Sequence, residues 1–317
     1  MNSVVVIGAG GFLGRAFVEN SDIQVPVKAV TRNIPNDKSI SCKNITWIEA
    51  DAMIFSSLVG VLSEGDMVIN LAYIDDNEKI SNIYLIDNII KACLFSKVSR
   101  LVHCSTAVVV GDTKTDYVSE LSSCNPITPY EQTKVAVETR VMSALSKGLD
   151  VGILRPTAIV GHNGKNLLKL AHSLMYGNRF VNYLKACVLG RMPMHLVPVR
   201  SVVLALLHLT LSPKTLSGNI FIVSADEDVD NNFQKVEEIL LDELGLKRTR
   251  FPYIPIPRIL QLLVFKLANR NNINRLYDSK KLIDYGFKPV DSVDQAIRQF
   301  ANSIKLESFI DLTFKDV

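Results

Sequence analysis

Val4-Val5-Val6-Ile7-Gly8-Ala9-Gly10-Gly11-Phe12-Leu13-Gly14 decides how the chain is read. An unbroken run of β-branched residues describes a strand covered on both faces, because a strand with one wet face would alternate. The glycines stop that strand and open a helix. Gly8 permits the tight turn, and Gly11 lets backbone N–H groups approach a pyrophosphate at the helix N-terminus. Gly14 lets helix and strand pack closely, and Phe12 and Leu13 form the first helical turn between them. Strand, glycine turn and helix in this order predict a dinucleotide site; the plainer alternative is an ordinary glycine-rich turn.

Further strands are expected at the spacing of βα units, over residues 25–30, 45–48, 67–71, 101–104 and 151–154, with helices over 80–95 and 133–145. The expected fold class is therefore α/β, a Rossmann-like doubly wound parallel sheet with right-handed crossovers. Residues 1–160 form the cofactor domain, to which a segment at about 195–223 returns. Residues 161–194 and 224–317 break the βα rhythm and form a smaller substrate lobe. In that lobe the proline-spaced stretch 251–257 reads as a stiff connection. The apolar runs 202–211 and 259–268 are too short or too interrupted to span a bilayer and read as packed helices. A membrane-surface role for the second is the alternative.

Composition excludes several classes. Apolar residues make up 48% and charged residues 21%, the balance of a globular chain rather than a disordered one. A net charge of +3 from 35 basic and 32 acidic residues, with no Lys/Arg cluster, argues against a nucleic-acid partner. The five cysteines, Cys42, Cys93, Cys104, Cys124 and Cys187, form no CxxC pair and no cluster of metal-ligand spacing. A reducing, cytoplasmic setting without metal or membrane is the expectation.

After the second strand a dinucleotide-binding fold usually places Asp or Glu against a ribose 2′-hydroxyl, but this chain runs Ala29-Val30-Thr31-Arg32-Asn33. Arg32 would form charge-assisted bonds to a 2′-phosphate, which favours NADP(H) over NAD; a solvated loop arginine is the alternative. Asp51, ending the third strand beside Ala52, is placed to accept from an adenine amino group or to cap a helix. Ala72, just past the fourth strand, completes the expected cofactor edge.

Tyr130-Glu131-Gln132-Thr133-Lys134 sets a phenol and an ammonium four residues apart on one face of a helix that Pro129 helps to start. A nearby ammonium stabilises phenolate and lowers a tyrosine pKa towards the working range of an acid/base catalyst. Tyr277 and Lys281 repeat the spacing, so position must discriminate. Tyr130 follows the fifth strand, whose end, Ser105-Thr106-Ala107, delivers hydroxyls to the carboxyl edge of the sheet, where ligands bind. Thr106 is the candidate to hold a substrate oxygen with Tyr130, Ser105 to assist, and Lys134 also to reach the nicotinamide ribose.

These residues, in this order, resemble the extended short-chain dehydrogenase/reductase family of nucleotide-sugar epimerases, dehydratases and reductases. Gly8, Gly11 and Gly14 match its glycine motif, Ser105-Thr106-Ala107 its strand-end hydroxyls, and Tyr130 with Lys134 its YxxxK. Asn82, Asn88, Arg155-Pro156 before Gly161, and the segment from Asp278 through Tyr285-Gly286-Phe287-Lys288-Pro289 match further landmarks. The resemblance implies an NAD(P)-dependent enzyme acting on a nucleotide-linked sugar, as epimerase or reductase, and a homodimer paired through helices 80–95 and 133–145. Sugar dehydratases of the family carry Thr-Asp-Glu where this chain has Thr106-Ala107-Val108, so water elimination is not implied. Val110-Gly111 and Arg200-Ser201 depart from the family's Tyr-Gly and Asp, which bears on the substrate. Among Lys165, Lys169, Arg179 and Arg191, Arg191 is the first candidate to neutralise a diphosphate. Two other functions stay open, a reductase of a small lipid or steroid-like ketone and a non-catalytic NADP-binding sensor or assembly factor.

Overall fold

The structure, a computed structural model, describes residues 2–20, 23–35, 44–75, 79–113, 115–247, 253–254, 256 and 275–313. The apolar run 259–268, most of the stretch 251–257 and Cys42 lie outside these residues. Seven parallel strands form one sheet. They are β1 (Val4–Ile7), β2 (Val27–Thr31), β3 (Ile45–Glu49), β4 (Met67–Asn70), β5 (Arg100–Cys104), β7 (Asp150–Pro156) and β10 (Ile220–Val223). Their spatial order is β10-β7-β5-β4-β1-β2-β3. Succession therefore runs one way from β1 to β3 and the other way from β4 onward. The reversal between β1 and β4 opens a crevice at the carboxyl edge, where doubly wound sheets bind ligands.

The register of β1 with β2, Val4 opposite Val27 and Ile7 opposite Val30, brings the carboxyl ends of these two strands together at that edge. Side chains alternate between two cores, as a period of two requires. Val4 and Val6 pack with Phe17, Val202 and Leu206 on the face of α1 (Phe12–Val18) and α7 (Val199–Leu211). Val5 and Ile7 pack with Leu58, Ile86, Ile89 and Val141 on the other face. That face carries α2 (Phe55–Val59), α3 (Lys79–Phe95) and α4 (Pro129–Ser143). Burial on both sides accounts for the unbroken apolar runs of the strands.

A third core joins α5 (Leu168–Tyr176) and α8 (Phe233–Glu243) to the helix Val293–Thr313 through Leu167, Leu174, Val236, Leu240, Ile297 and Phe300. Two short parallel pairs connect this lobe to the sheet: β8 (Ala158–Val160) with β9 (Leu196–Pro198), and β6 (Tyr117–Val118) with β11 (Leu276–Tyr277). The helix α6 (Arg179–Leu189) lies on the same lobe. Among the described residues no helix is long and apolar enough to cross a membrane, and no group of His, Cys, Asp and Glu could hold a metal ion.

Candidate active site

The glycine turn is built for close approach. Gly8 has φ +93, and a Cβ there would lie 2.8 Å from the Ala72 nitrogen, so β1 and the end of β4 meet with no room for a side chain. A Cβ on Gly14 would strike the Gly8 carbonyl and the Ala9 backbone. Gly11 differs, for a Cβ there would meet nothing closer than 3.5 Å. Packing within the chain therefore does not demand glycine at 11, whereas a ligand lying against the backbone would. At the start of α1 the first-turn N–H groups of Phe12 and Leu13 have no acceptor within the helix.

A cleft of about 460 Å³ opens beside this turn. Gly8, Gly11, Arg32, Asp51, Ala52 and Ala72 line it, six of the residues expected from the sequence to hold the cofactor. Asp51 accepts the Met53 N–H at 2.9 Å while α2 starts only at Phe55, so its carboxylate shapes the loop at the cleft wall and does not cap the helix. Arg15, which the sequence had not singled out, also lines the cleft and donates to the Gly10 carbonyl at 3.1 Å. The residues present fit a dinucleotide: a cradle closed to side chains, open N–H groups and two arginines in the lining.

Beyond the cleft the sheet edge meets α4. Thr128 caps this helix in a reciprocal box with Glu131, and Pro129 occupies its first turn, so the start of the helix is fixed just where Tyr130 projects. One turn later Lys134 is only 6% exposed, whereas Tyr130 keeps 40% of its surface open. The Thr106 side chain, whose Oγ1 accepts the Val108 N–H at 3.4 Å, lies beside the Tyr130 hydroxyl and favours its ionisation. Ser105, next along the strand end, is buried with its Oγ lacking any partner, although its N–H donates to Leu154 at 2.8 Å. An orphaned hydroxyl at a sheet's carboxyl edge costs about 1–3 kcal/mol unless a ligand satisfies it.

The electrostatics differ from the expectation that Lys134 lowers the Tyr130 pKa. Burial, aided by Tyr73 and Cys104, pushes the phenol up to about 12 against the opposing influence of Thr106. Burial also holds the Lys134 ammonium below its ordinary value, with Cys104 and Glu138 opposing. Geometry gives the reason. The Lys134 Nζ lies 4.3 Å from the centre of the Tyr73 ring but 5.8 Å from that of Tyr130. Behind the lysine, burial and then the Lys134 charge push His103 down to about 3, and Asn70 Nδ2 lies 3.1 Å from its Nδ1.

Helix α4 is locked to the sheet by a partner the sequence did not reveal. Arg155 on β7 binds Glu138 with both Nε and Nη2, at 2.9 and 2.6 Å, and Glu138 lies one turn beyond Lys134. Both are buried, so the pair fixes the rotation of the helix that carries Tyr130 and Lys134.

Other expected residues lie elsewhere. Arg191 stands exposed on the turn between α6 and β9, and Lys165, Lys169 and Arg179 are also exposed. Tyr277 and Lys281 do not share a helix face: Tyr277 lies in β11, buried with Ala107 and Val110 beneath the Thr106 loop, and Lys281 donates to the Ile220 carbonyl at 2.8 Å. Tyr277 thus packs beneath the candidate site. A further oriented imidazole stands at the ends of β7 and β10, where His195 Nδ1 lies 2.7 Å from an Asp226 oxygen that also accepts the Tyr277 N–H.

A family model described as NAD dependent epimerase/dehydratase family matches residues 4–192. No curated protein matches the chain in sequence. Among solved structures, the enzyme WbmH of Bordetella bronchiseptica in complex with NAD+ aligns with a TM-score of 0.72 at 15% identity, covering 96% of this chain and 98% of that one. The UDP-glucose 4-epimerase of Thermotoga maritima aligns at 0.69 and 16%, covering 96% and 99%. DesIV, a dTDP-glucose 4,6-dehydratase of Streptomyces venezuelae solved with NAD, aligns at 0.70 and 17%, covering 96% and 97%. At these identities the structures show a shared fold.

Proposed function

Since the chain belongs to the NAD dependent epimerase/dehydratase family and is an enzyme using a nicotinamide dinucleotide, we propose that it epimerises or reduces a nucleotide-linked sugar through Thr106, Tyr130 and Lys134. The observation that carries the reading is Tyr130, left partly open with the Thr106 side chain beside its hydroxyl at the carboxyl edge of the sheet and a buried Lys134 one turn behind it. When bound, the dinucleotide accepts or supplies a hydride. Tyr130, protonated at neutral pH because its pKa stands near 12, would donate a proton to a carbonyl oxygen held by Thr106 and Ser105. Ala107 and Val108 supply no carboxylate beside Thr106, which favours these reactions over dehydration. Residues 161–194 and 224–317 would form the substrate lobe, and the setting would be cytoplasmic.

The test is a panel of nucleotide sugars and their 4-keto forms, incubated with NADPH and separately with NAD, with products resolved by chromatography. Conversion of none of them would remove the sugar reading and leave the reduction of a small lipid ketone.

Arg32 on the cleft wall favours NADP(H) over NAD(H) in this reading. Loss of a charge-assisted contact of about 1.5–3 kcal/mol corresponds to roughly ten- to a hundredfold in affinity. Arg32→Ala should therefore weaken NADPH much more than NADH in a fluorescence titration. Equal losses would show that the side chain does not read the phosphate.

We also infer a homodimer built on α3 and α4. Ile80, Tyr84 and Phe95 of α3 are large apolar side chains left exposed in the single chain, and an isologous helix bundle would cover such positions. Light scattering at micromolar concentration should give twice 35.2 kDa. A mass of one chain would refute the dimer.

A further inference from the structure

Tyr73 stands where the cleft ends. Its ring is part of the cleft wall, together with Ala72 and Ile74, whereas Thr106, Tyr130 and Lys134 are not. The other face of the neighbourhood belongs to the candidate trio. The Tyr73 ring meets that of Tyr130 edge-on, with centroids 5.5 Å apart, and the Lys134 Nζ sits 4.3 Å from the Tyr73 centroid. The ring therefore separates the dinucleotide cleft from the groups proposed to work on the substrate.

The backbone that carries this ring is pinned on both sides. The Ala72 N–H donates to Asn70 Oδ1 at 3.0 Å, and Ala72 abuts the side-chain-free Gly8. Ile74 is held twice by Asn82, its N–H at 3.0 Å and its carbonyl at 2.8 Å. What can move at position 73 is the side chain, about its χ angles, and not the loop. A π face over the ammonium offsets part of the cost of burying Lys134.

We propose that Tyr73 gates the nicotinamide end of the cleft: its ring covers Lys134 and must rotate aside before the nicotinamide half of the dinucleotide can reach the trio. The adenosine half, which would lie against Arg32, Asp51 and the glycine turn, needs no such movement. This rests on the dinucleotide reading of the cleft. Binding of the whole dinucleotide then carries a penalty that binding of its adenosine end does not, because the cation–π contact has to be given up. By the usual strength of such a contact at a desolvated site, that penalty is about five- to thirtyfold in affinity.

The experiment is calorimetric titration of NADP and of adenosine 2′,5′-bisphosphate, and in parallel of NAD and ADP, into the full chain and its Tyr73 variants. Tyr73→Ala should bind the whole dinucleotide about five- to thirtyfold more tightly and the fragment as the wild type does. Tyr73→Leu, which keeps apolar bulk without a π face, should change in the same direction by less, and it serves if the alanine variant folds poorly. Tyr73→Phe keeps the ring and its π face and should stay closer to the wild type than the Ala and Leu variants do. A dinucleotide affinity that is unchanged or weaker in both Ala and Leu variants, with the fragment still bound, overturns the role of Tyr73 alone. A fragment that binds neither wild type nor variants overturns the dinucleotide reading and this proposal together.

Discussion

Tyr130→Phe should lower turnover by about a hundred- to ten-thousandfold, the usual worth of a positioned acid or base, and leave dinucleotide affinity unchanged. The substitution is nearly isosteric. The ring keeps its edge-on contact with Tyr73, and the Thr128 cap and the Glu138–Arg155 pair that orient α4 do not involve the hydroxyl. What disappears is the hydroxyl beside Thr106 and the proton it carries. Initial rates on whichever nucleotide sugar the panel identifies, with kcat and KM separated, would read this directly. A fall in kcat with little change in KM is the signature of a group that acts in the transition state. Turnover equal to wild type would remove Tyr130 from the chemistry.

Much of this site was legible because its chemistry is local in sequence. The strand Val4–Ile7, the glycine turn and the start of α1 need only a dozen neighbouring residues to define them, and packing later confirms why Gly8 and Gly14 carry no side chain. Tyr130 and Lys134 are joined by one helical turn, and Thr128 with Pro129 announces where that turn begins. Contacts across the fold were not legible. Arg155 could be noticed beside Pro156, but its partner Glu138 is chosen by how α4 lies on β7. Tyr73 is an unremarkable residue after a strand until the sheet brings it over Lys134. The repeated spacing of Tyr277 and Lys281 forms no second pair, since the chain there is strand followed by helix and Lys281 turns to the Ile220 carbonyl. The sign of the Tyr130 shift was missed for the same reason. Spacing puts an ammonium near the phenol, while burial and the competing Tyr73 ring decide which way the proton equilibrium moves.

That reversal makes Lys134→Met the more discriminating substitution. Removing a buried ammonium in favour of an apolar side chain of similar length is neutral or stabilising for a fold, so the variant should remain folded. Its effect on rate should be of the same order as that of Tyr130→Phe, because both groups serve one proton transfer. The double variant should then cost about as much as the worse single one, far less than the product of the two. The pH profile carries the sharper information. Burial lowers the Lys134 pKa and raises that of Tyr130 to about 12, so as pH rises the lysine loses its proton first. In the wild type the alkaline limb of the rate should therefore report Lys134 and lie below the ordinary lysine value of about 10.4. Lys134→Met lacks that ionisation, and its residual activity should hold to higher pH, limited only when Tyr130 itself ionises. Suppose instead that the limb stays where it was and the two losses multiply. Lys134 would then be a cofactor ligand whose charge does not enter the proton transfer, and the neighbouring Thr106 would be left as the chief influence easing the Tyr130 proton away.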